Sequence, residues 1–197
     1  MLAALLATPG VEEVCRLAGR FGFMALHGGN LERGTDAIAR AAAERSGASY
    51  YAVLQPPGLR WHVPSVAYDP ADSPALAAFV SHVDTVVTVH GYGREGLWTT
   101  VLVGGRNRPL AVRVGRALRA GLGEGFTVVD ELARIPRQLR GLHPRNPVNL
   151  TTGGGAQLEL PPRVRAGTGV PTFDPAYEEA VVAALAGVAE AAQQVGG

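Results

Sequence analysis

The sequence predicts an α/β protein, because the spacing of its apolar residues alternates repeatedly between a strand-like and a helix-like period. Five short segments are rich in β-branched or aromatic residues and are predicted to be strands: 23–26, 49–54, 85–89, 98–103 and 126–129. Several are almost continuously apolar, which is typical of a sheet whose two faces are both covered by helices.

Helical periodicity fills the intervals between these strands. The predicted helices span about 36–46, 74–81, 107–121 and 130–138, with Thr35, Ser73 and Asp130 as capping residues. A short helix is also expected at the apolar start of the chain. The clearest helix is the last one, where Asp174 and Pro175 supply the N-cap and first position. Its apolar stripe should pack onto the sheet: Tyr177, Val181, Leu185 and Val188, before Gly196-Gly197.

Composition predicts one folded domain over residues 1–197. The chain is 47% apolar and 18% charged, with a net charge of +1, which excludes a disordered protein. A single cysteine, Cys15, excludes an internal disulfide framework and a cysteine-based zinc ribbon. All 18 basic residues are Arg, so mechanisms that need a lysine, such as a P-loop or a Schiff base, are excluded. No apolar run approaches the ~18 residues of a membrane span, and we expect a cytoplasmic protein with no membrane partner.

Positive charge is concentrated in the middle of the chain. Residues 106–145 carry nine Arg against three acidic residues, which favours an anionic ligand. Arg113, Arg116 and Arg119 recur every three residues, so they could equally form a solvated helix face. Arg106 and Arg145 lie in loops and are better ligand contacts. The low net charge and the few aromatic residues argue against a nucleic-acid partner.

Histidines that follow apolar strands predict a metal site. His27 follows strand 23–26, and Glu32 returns just before the next helix, so both can lie at one sheet edge. A lone histidine in a loop is more often structural, but His90 follows strand 85–89 in the same way. Three protein ligands with an open fourth position are typical of a catalytic zinc. His62 and His82 lack such neighbours and are expected to have surface or capping roles.

A metal-activated hydrolysis also needs a carboxylate that does not bind the metal. Glu159 follows a glycine-rich loop, in the short apolar segment 155–160, and is the predicted general base. The alternative is a glutamate on an edge strand that faces solvent. His143, Arg145 and Asn149 share a polar loop suited to carboxylates or amides, and are predicted to contact substrate together with Arg106.

The combination of motifs resembles the poly-γ-glutamate hydrolase family, which is related to zinc carboxypeptidases. Five motifs occur in the family's order: His-Gly-Gly-x-x-Glu-x-Gly-Thr at 27–35, Val-His-Gly at 89–91, Val-Gly-Gly-Arg at 103–106, Gly-x-His-Pro-x-Asn-x-x-Asn at 141–149 and Gly-x-Gln-Leu-Glu-Leu at 155–160. The first motif separates His27 from Glu32 by four residues, two more than in zinc carboxypeptidases, so the local geometry around Gly28 and Gly29 should differ.

The resemblance implies a three-layer α/β/α fold around a mixed sheet, of the zinc-carboxypeptidase-like kind. It implies a Zn²⁺ enzyme that cleaves γ-glutamyl amide bonds, with poly-γ-glutamate as the anionic substrate. His27, Glu32 and His90 match the family's metal ligands, and Glu159 matches its catalytic carboxylate. Two alternatives stay open: a zinc peptidase for other small acidic peptides, and a protein that binds an acidic ligand without turnover.

Overall fold

The computed structural model describes residues 1–169 and 171–195 and contains one seven-stranded sheet. The strands are β1 (Glu12–Arg16), β2 (Phe21–Gly29), β3 (Ser49–Gln55), β4 (Thr85–Gly91), β5 (Thr100–Val103), β6 (Thr127–Val129) and β7 (Gly155–Leu160). The helices are α1 (Leu2–Leu6), α2 (Thr35–Ser46), α3 (Pro74–His82), α4 (Arg108–Leu122) and α5 (Pro175–Val195).

The sheet is mixed, and its centre is parallel. Its strand order is β1-β3-β2-β4-β7-β5-β6. Strands β3, β2, β4 and β7 run parallel, whereas β1 pairs antiparallel with β3 and β5 pairs antiparallel with β7. The carboxyl ends of β2, β4 and β7 therefore meet at one edge of the sheet.

Helices cover both faces, as the apolar strands predict. Along β2, Phe23 and Ala25 join the core beneath α2, α4 and α5, while Met24 and Leu26 join the core beneath α1 and α3. This alternation follows from the two-residue period of a strand. The three-layer α/β/α arrangement is confirmed. None of the helices in the two described ranges is long and apolar enough to cross a bilayer.

Helix α5 begins where the sequence predicts. The Asp174 side chain accepts a hydrogen bond from the Ala176 amide, and Pro175 occupies the first position. The apolar stripe packs against α2, α4 and β2, with Val181 and Leu185 fully buried. Gly196 and Gly197 lie outside the described residues.

Three predictions of local structure are wrong. Segment 130–138 forms two 3-10 turns, Leu132–Arg134 and Arg137–Leu139, because Pro136 cannot continue a helix and holds Ile135 extended. Asp130 pairs with Arg119 at 2.7 Å and does not cap a helix. Helix α2 has Gly34 at its N-cap, one residue before Thr35. Strand β1 was not predicted, because it lies at the sheet edge, is partly exposed and contains several charged residues instead of an apolar run.

Candidate active site

Parallel strand ends bring three predicted functional residues together. His27 lies near the end of β2, His90 near the end of β4 and Glu159 near the end of β7. His90 and Glu159 are direct neighbours in the β4–β7 register. Because β7 lies between β4 and β5, Glu159 is interior and only 4% exposed. The alternative of a solvent-facing edge glutamate is therefore excluded.

The end of β2 is irregular where His27 leaves the strand. The pairing of β2 with β3 shifts register between Ala25 and Gly28, and Gly29 has a φ of 66°. A side chain at Gly29 would collide with the backbone of Gln55, so glycine is required there. The strand thus continues through both glycines, and the turn follows them.

A short loop then returns Glu32 to His27. The Glu32 amide donates to the His27 carbonyl at 2.8 Å, and the Thr35 hydroxyl donates to the Glu32 carbonyl at 2.7 Å. Thr35 therefore stabilises the loop that carries Glu32 and does not act as the helix N-cap. This backbone closure is how the wide His-x4-Glu spacing still places the carboxylate against the imidazole.

The Glu32 carboxylate contacts both histidines. Its Oε1 lies 2.7 Å from His27 Nδ1, and its Oε2 lies 3.3 Å from His90 Nδ1 and accepts the Gly91 amide at 2.9 Å. Burial by itself would raise the pKa of Glu32, but the charges and hydrogen bonds of the two histidines outweigh it, so this pKa lies far below its usual value. Burial lowers the pKa of His90 and the Glu32 charge raises it, with a net increase.

The hydrogen bonding of His27 leaves a place for a cation. His27 Nε2 lies 2.9 Å from the Val63 carbonyl, which only accepts, so Nε2 carries the hydrogen. In the neutral ring, Nδ1 is then an acceptor that faces an acceptor oxygen of Glu32. Two acceptors 2.7 Å apart need a proton or a metal ion beside them. The carbonyl contact also fixes the tautomer, as it does for histidine ligands of zinc.

His90 and His62 add further donors. His90 is 3% exposed, and within the described ranges its Nε2 has no hydrogen-bond partner. The ring of His62 lies 4.8 Å from that of His27, and one ligand atom each from His27, Glu32 and His62 lie within 4.8 Å of one another. His62 is exposed, as expected of a surface residue, but the sequence did not indicate that it adjoins His27 and Glu32. Imidazole and carboxylate are ligand types that suit zinc, and within the described residues this group contains His62 and not the predicted ligand His90.

Glu159 has the environment of a buried acid–base group. Burial raises its pKa from 4.5 to about 7, although the nearby His90 charge lowers it. Glu159 accepts a 2.8 Å hydrogen bond from the Gln157 amide, which also accepts from Asn146 at 2.9 Å. Gln157 thus fixes the carboxylate in one orientation.

These residues line one cleft of about 870 Å³. Its walls are largely apolar, and Arg137 is the single guanidinium in the described lining. His143 also lines this cleft. The other three predicted substrate residues lie elsewhere: Arg145 lines a separate hollow of about 300 Å³, and Arg106 and Asn149 belong to neither lining. Asn149 uses its amide to donate to the carbonyls of Gly141 and His143 at 2.8 and 2.9 Å.

Sequence reasoning missed Arg137, His62 and Gln157. The sequence predicts a helix at Arg137 that does not form, and His62 does not directly follow a strand, so neither residue has a local pattern that indicates the site. Gln157 stands two residues before Glu159, a spacing that puts both side chains on one face of a strand, which could have indicated the contact.

The fold and the grouped donors define an α/β protein with a candidate metal site at one edge of a mixed sheet. A family model described as poly-gamma-glutamate hydrolase matches residues 8–168. The chain belongs to this family. A prophage-derived protein of Bacillus subtilis, YoqZ, is 31% identical over 139 residues, which are 70% of this chain and 47% of that protein. The match therefore spans about half the length of that relative.

Solved structures show the same fold. A bacteriophage poly-gamma-glutamate hydrolase is 24% identical, with a TM-score of 0.71 and 91% of each chain covered. A zinc-free YndL structure is 23% identical, with a TM-score of 0.68 and coverage of 88% of this chain and 87% of that one. A proposed carboxypeptidase from Burkholderia mallei is 10% identical, with a TM-score of 0.52 and coverage of 98% and 66%. The carboxypeptidase-like fold is confirmed.

Proposed function

We propose that the protein is a zinc-dependent hydrolase that cleaves γ-glutamyl amide bonds of poly-γ-glutamate. The observation that carries this proposal is the meeting of His27, Glu32, His90 and Glu159 in one cleft, where a metal ion could replace the proton between His27 and Glu32. Membership of the poly-gamma-glutamate hydrolase family supports the reaction class and the substrate. Fold similarity to the bacteriophage enzyme supports the architecture.

His27, Glu32 and His90 would hold the zinc ion, because the Nδ1 atoms of both histidines contact the Glu32 carboxylate. When bound, zinc supplies a Lewis acid for the scissile carbonyl and a lowered pKa for water. His62 lies beside His27 at the cleft surface, where it can contact substrate or complete the donor set.

Glu159 accepts the proton of the attacking water and passes it to the leaving amine. Burial, which raises the pKa of Glu159 to about 7 in the metal-free site, supports an acid–base role. The Gln157 hydrogen bond occupies Oε1, which leaves Oε2 for the water.

Arg137 is the residue we assign to the free α-carboxylates of a γ-linked glutamate chain, since a guanidinium matches carboxylate geometry. His143 lies on the same wall. The hollow lined by Arg145 adjoins the cleft, because Val66 lines both. A polymer longer than the cleft would continue toward Arg145, and we keep Arg145 and Arg106 as outer contacts. Asn149 acts through the backbone of the His143 loop.

The test is cleavage of poly-γ-glutamate, followed by the appearance of new amino groups. We expect cleavage with zinc and none after chelation, with recovery when zinc returns. α-Linked polyglutamate is the matched substrate: preferential cleavage of that polymer would replace our substrate with an ordinary acidic peptide. Zinc binding without cleavage of either polymer would instead support a ligand-binding protein.

A further inference from the structure

A buried arginine lies behind the candidate active site. Arg165 follows the 3-10 turn Pro162–Val164 after β7, in a segment that looks from sequence like a connection to the last helix. It is only 5% exposed, which is unusual for an arginine. Neither its position in the chain nor its neighbours in sequence indicate a role.

The guanidinium group of Arg165 contacts three separate segments of backbone. Its Nε donates to the Leu160 carbonyl at 3.1 Å, and its Nη1 donates to the Arg33 carbonyl at 2.5 Å. It also covers the Cα of Gly91, where an added Cβ would lie 2.5 Å from Cζ and from Nη1. Arg165 therefore fills the space that a side chain at Gly91 would need.

Each of these three contacts falls directly after a functional residue. Arg33 follows Glu32, Gly91 follows His90, and Leu160 follows Glu159. Three loops or strand ends that are distant in sequence thus share one planar group. Lysine cannot replace this arrangement, because a single ammonium lacks the fork that reaches two carbonyls and the flat face that fits against Gly91.

The charge of Arg165 also suits its place. Burial lowers the pKa of Arg165, and the carboxylates of Glu32 and Glu159 raise it. The two acidic groups therefore offset part of the free energy that is needed to bury the cation. A neutral residue at position 165 would leave both carboxylates without this compensation.

We propose that Arg165 is a positioning residue that sets the relative places of Glu32, His90 and Glu159 by binding the backbone behind them. This inference rests on the proposed function, because it concerns the same zinc site. It also explains why residue 91 is a glycine, although its φ is not in the left-handed region.

The test compares Arg165→Met and Arg165→Lys with the control Arg163→Met. Arg163 lies two residues away, and its guanidinium donates to Thr172 at 2.7 Å, so it is a matched arginine outside the site. Zinc affinity is measured by competition with a chelator. The values of kcat and KM are measured with poly-γ-glutamate as substrate, and folding is measured by circular dichroism of the metal-free protein. We expect Arg165→Met to weaken zinc binding and lower kcat by about 10–100-fold, with KM little changed. Arg165→Lys should have zinc affinity and kcat between those of Arg165→Met and the wild type, and Arg163→Met should resemble the wild type.

The outcomes separate this inference from the proposed function. A folded Arg165→Met protein with unchanged zinc affinity and kcat would overturn the positioning role while the proposed function stood. A wild-type protein that binds no zinc would overturn both. If Arg165→Met does not fold, Gly91→Ala keeps the Arg165 charge and the residue 91 amide, and its added methyl group overlaps the guanidinium. We expect weaker zinc binding in that variant, and wild-type affinity there would refute the inference.

Discussion

Replacing Glu159 with glutamine should stabilise the metal-free protein at alkaline pH. The carboxyl is buried, and its pKa is raised from 4.5 to about 7. A carboxyl with a raised pKa in the folded state prefers to be protonated there. The free energy of unfolding is therefore unaffected by this group below pH 4.5, falls as the pH rises from 4.5 to 7, and stays lower above pH 7.

The magnitude follows from the same two values. Each pH unit between them corresponds to about 1.4 kcal/mol, so ionisation of Glu159 lowers the free energy of unfolding by about 3 kcal/mol at pH 8 and above. Glu159→Gln removes this loss. For a protein of this size, the difference between wild type and variant should grow by roughly 6–12 °C in melting temperature between pH 4.5 and 8.

The assay is thermal or urea unfolding of both proteins in the presence of a chelator, at several pH values. The exposed Glu190, on α5, supplies the control variant Glu190→Gln. Glu190→Gln should change the melting temperature much less than Glu159→Gln, because the Glu190 side chain is exposed to solvent. A difference between wild type and Glu159→Gln that does not change between pH 4.5 and 8 would refute the burial of an ionisable group at this position.

Three further predictions concern activity, metal binding and the fold. With zinc bound, Glu159→Gln should lower kcat by about 10²–10⁴-fold and keep the metal, and loss of zinc from this variant would make Glu159 a ligand instead. Arg137→Gln should raise KM for poly-γ-glutamate about tenfold or more with little change in kcat, and an unchanged KM in steady-state assays would remove Arg137 from substrate binding. Gly29→Ala should lower the free energy of unfolding by about 2 kcal/mol or more, because its φ of 66° and the nearby Gln55 backbone both oppose a side chain, and wild-type stability in urea would contradict this.

The predictable parts of the site are those with a local pattern. His27 and His90 each stand at the end of a continuous apolar strand, so the sequence indicates that both reach the same edge of a parallel sheet. Glu159 sits in an apolar segment, but its interior position depends on β7 lying between β4 and β5. Strand order is set by pairing between distant segments and leaves no mark on the segment itself.

The predicted substrate contacts that do not line the cleft all lie in loops. Shared Gly/Pro/Asn-rich loops predict substrate contacts for Arg106, His143, Arg145 and Asn149. Of these four residues, His143 lines the cleft and the other three do not. Arg137 does line it, because Pro136 interrupts the predicted helix and the two 3-10 turns bring the arginine to the wall. The direction of a loop side chain depends on such turns and on what they pack against.

The sequence by itself determined the α/β class, most strands and helices, and the residue types that suit a zinc hydrolase. Periodicity and capping act within a few residues, so they can be detected along the chain. Only the packed fold shows that His62 adjoins His27, that Gln157 donates to Glu159, and that Arg165 binds the backbone next to predicted site residues. These contacts exist only after the strands have paired, because burial and hydrogen bonding between distant segments depend on the packed fold.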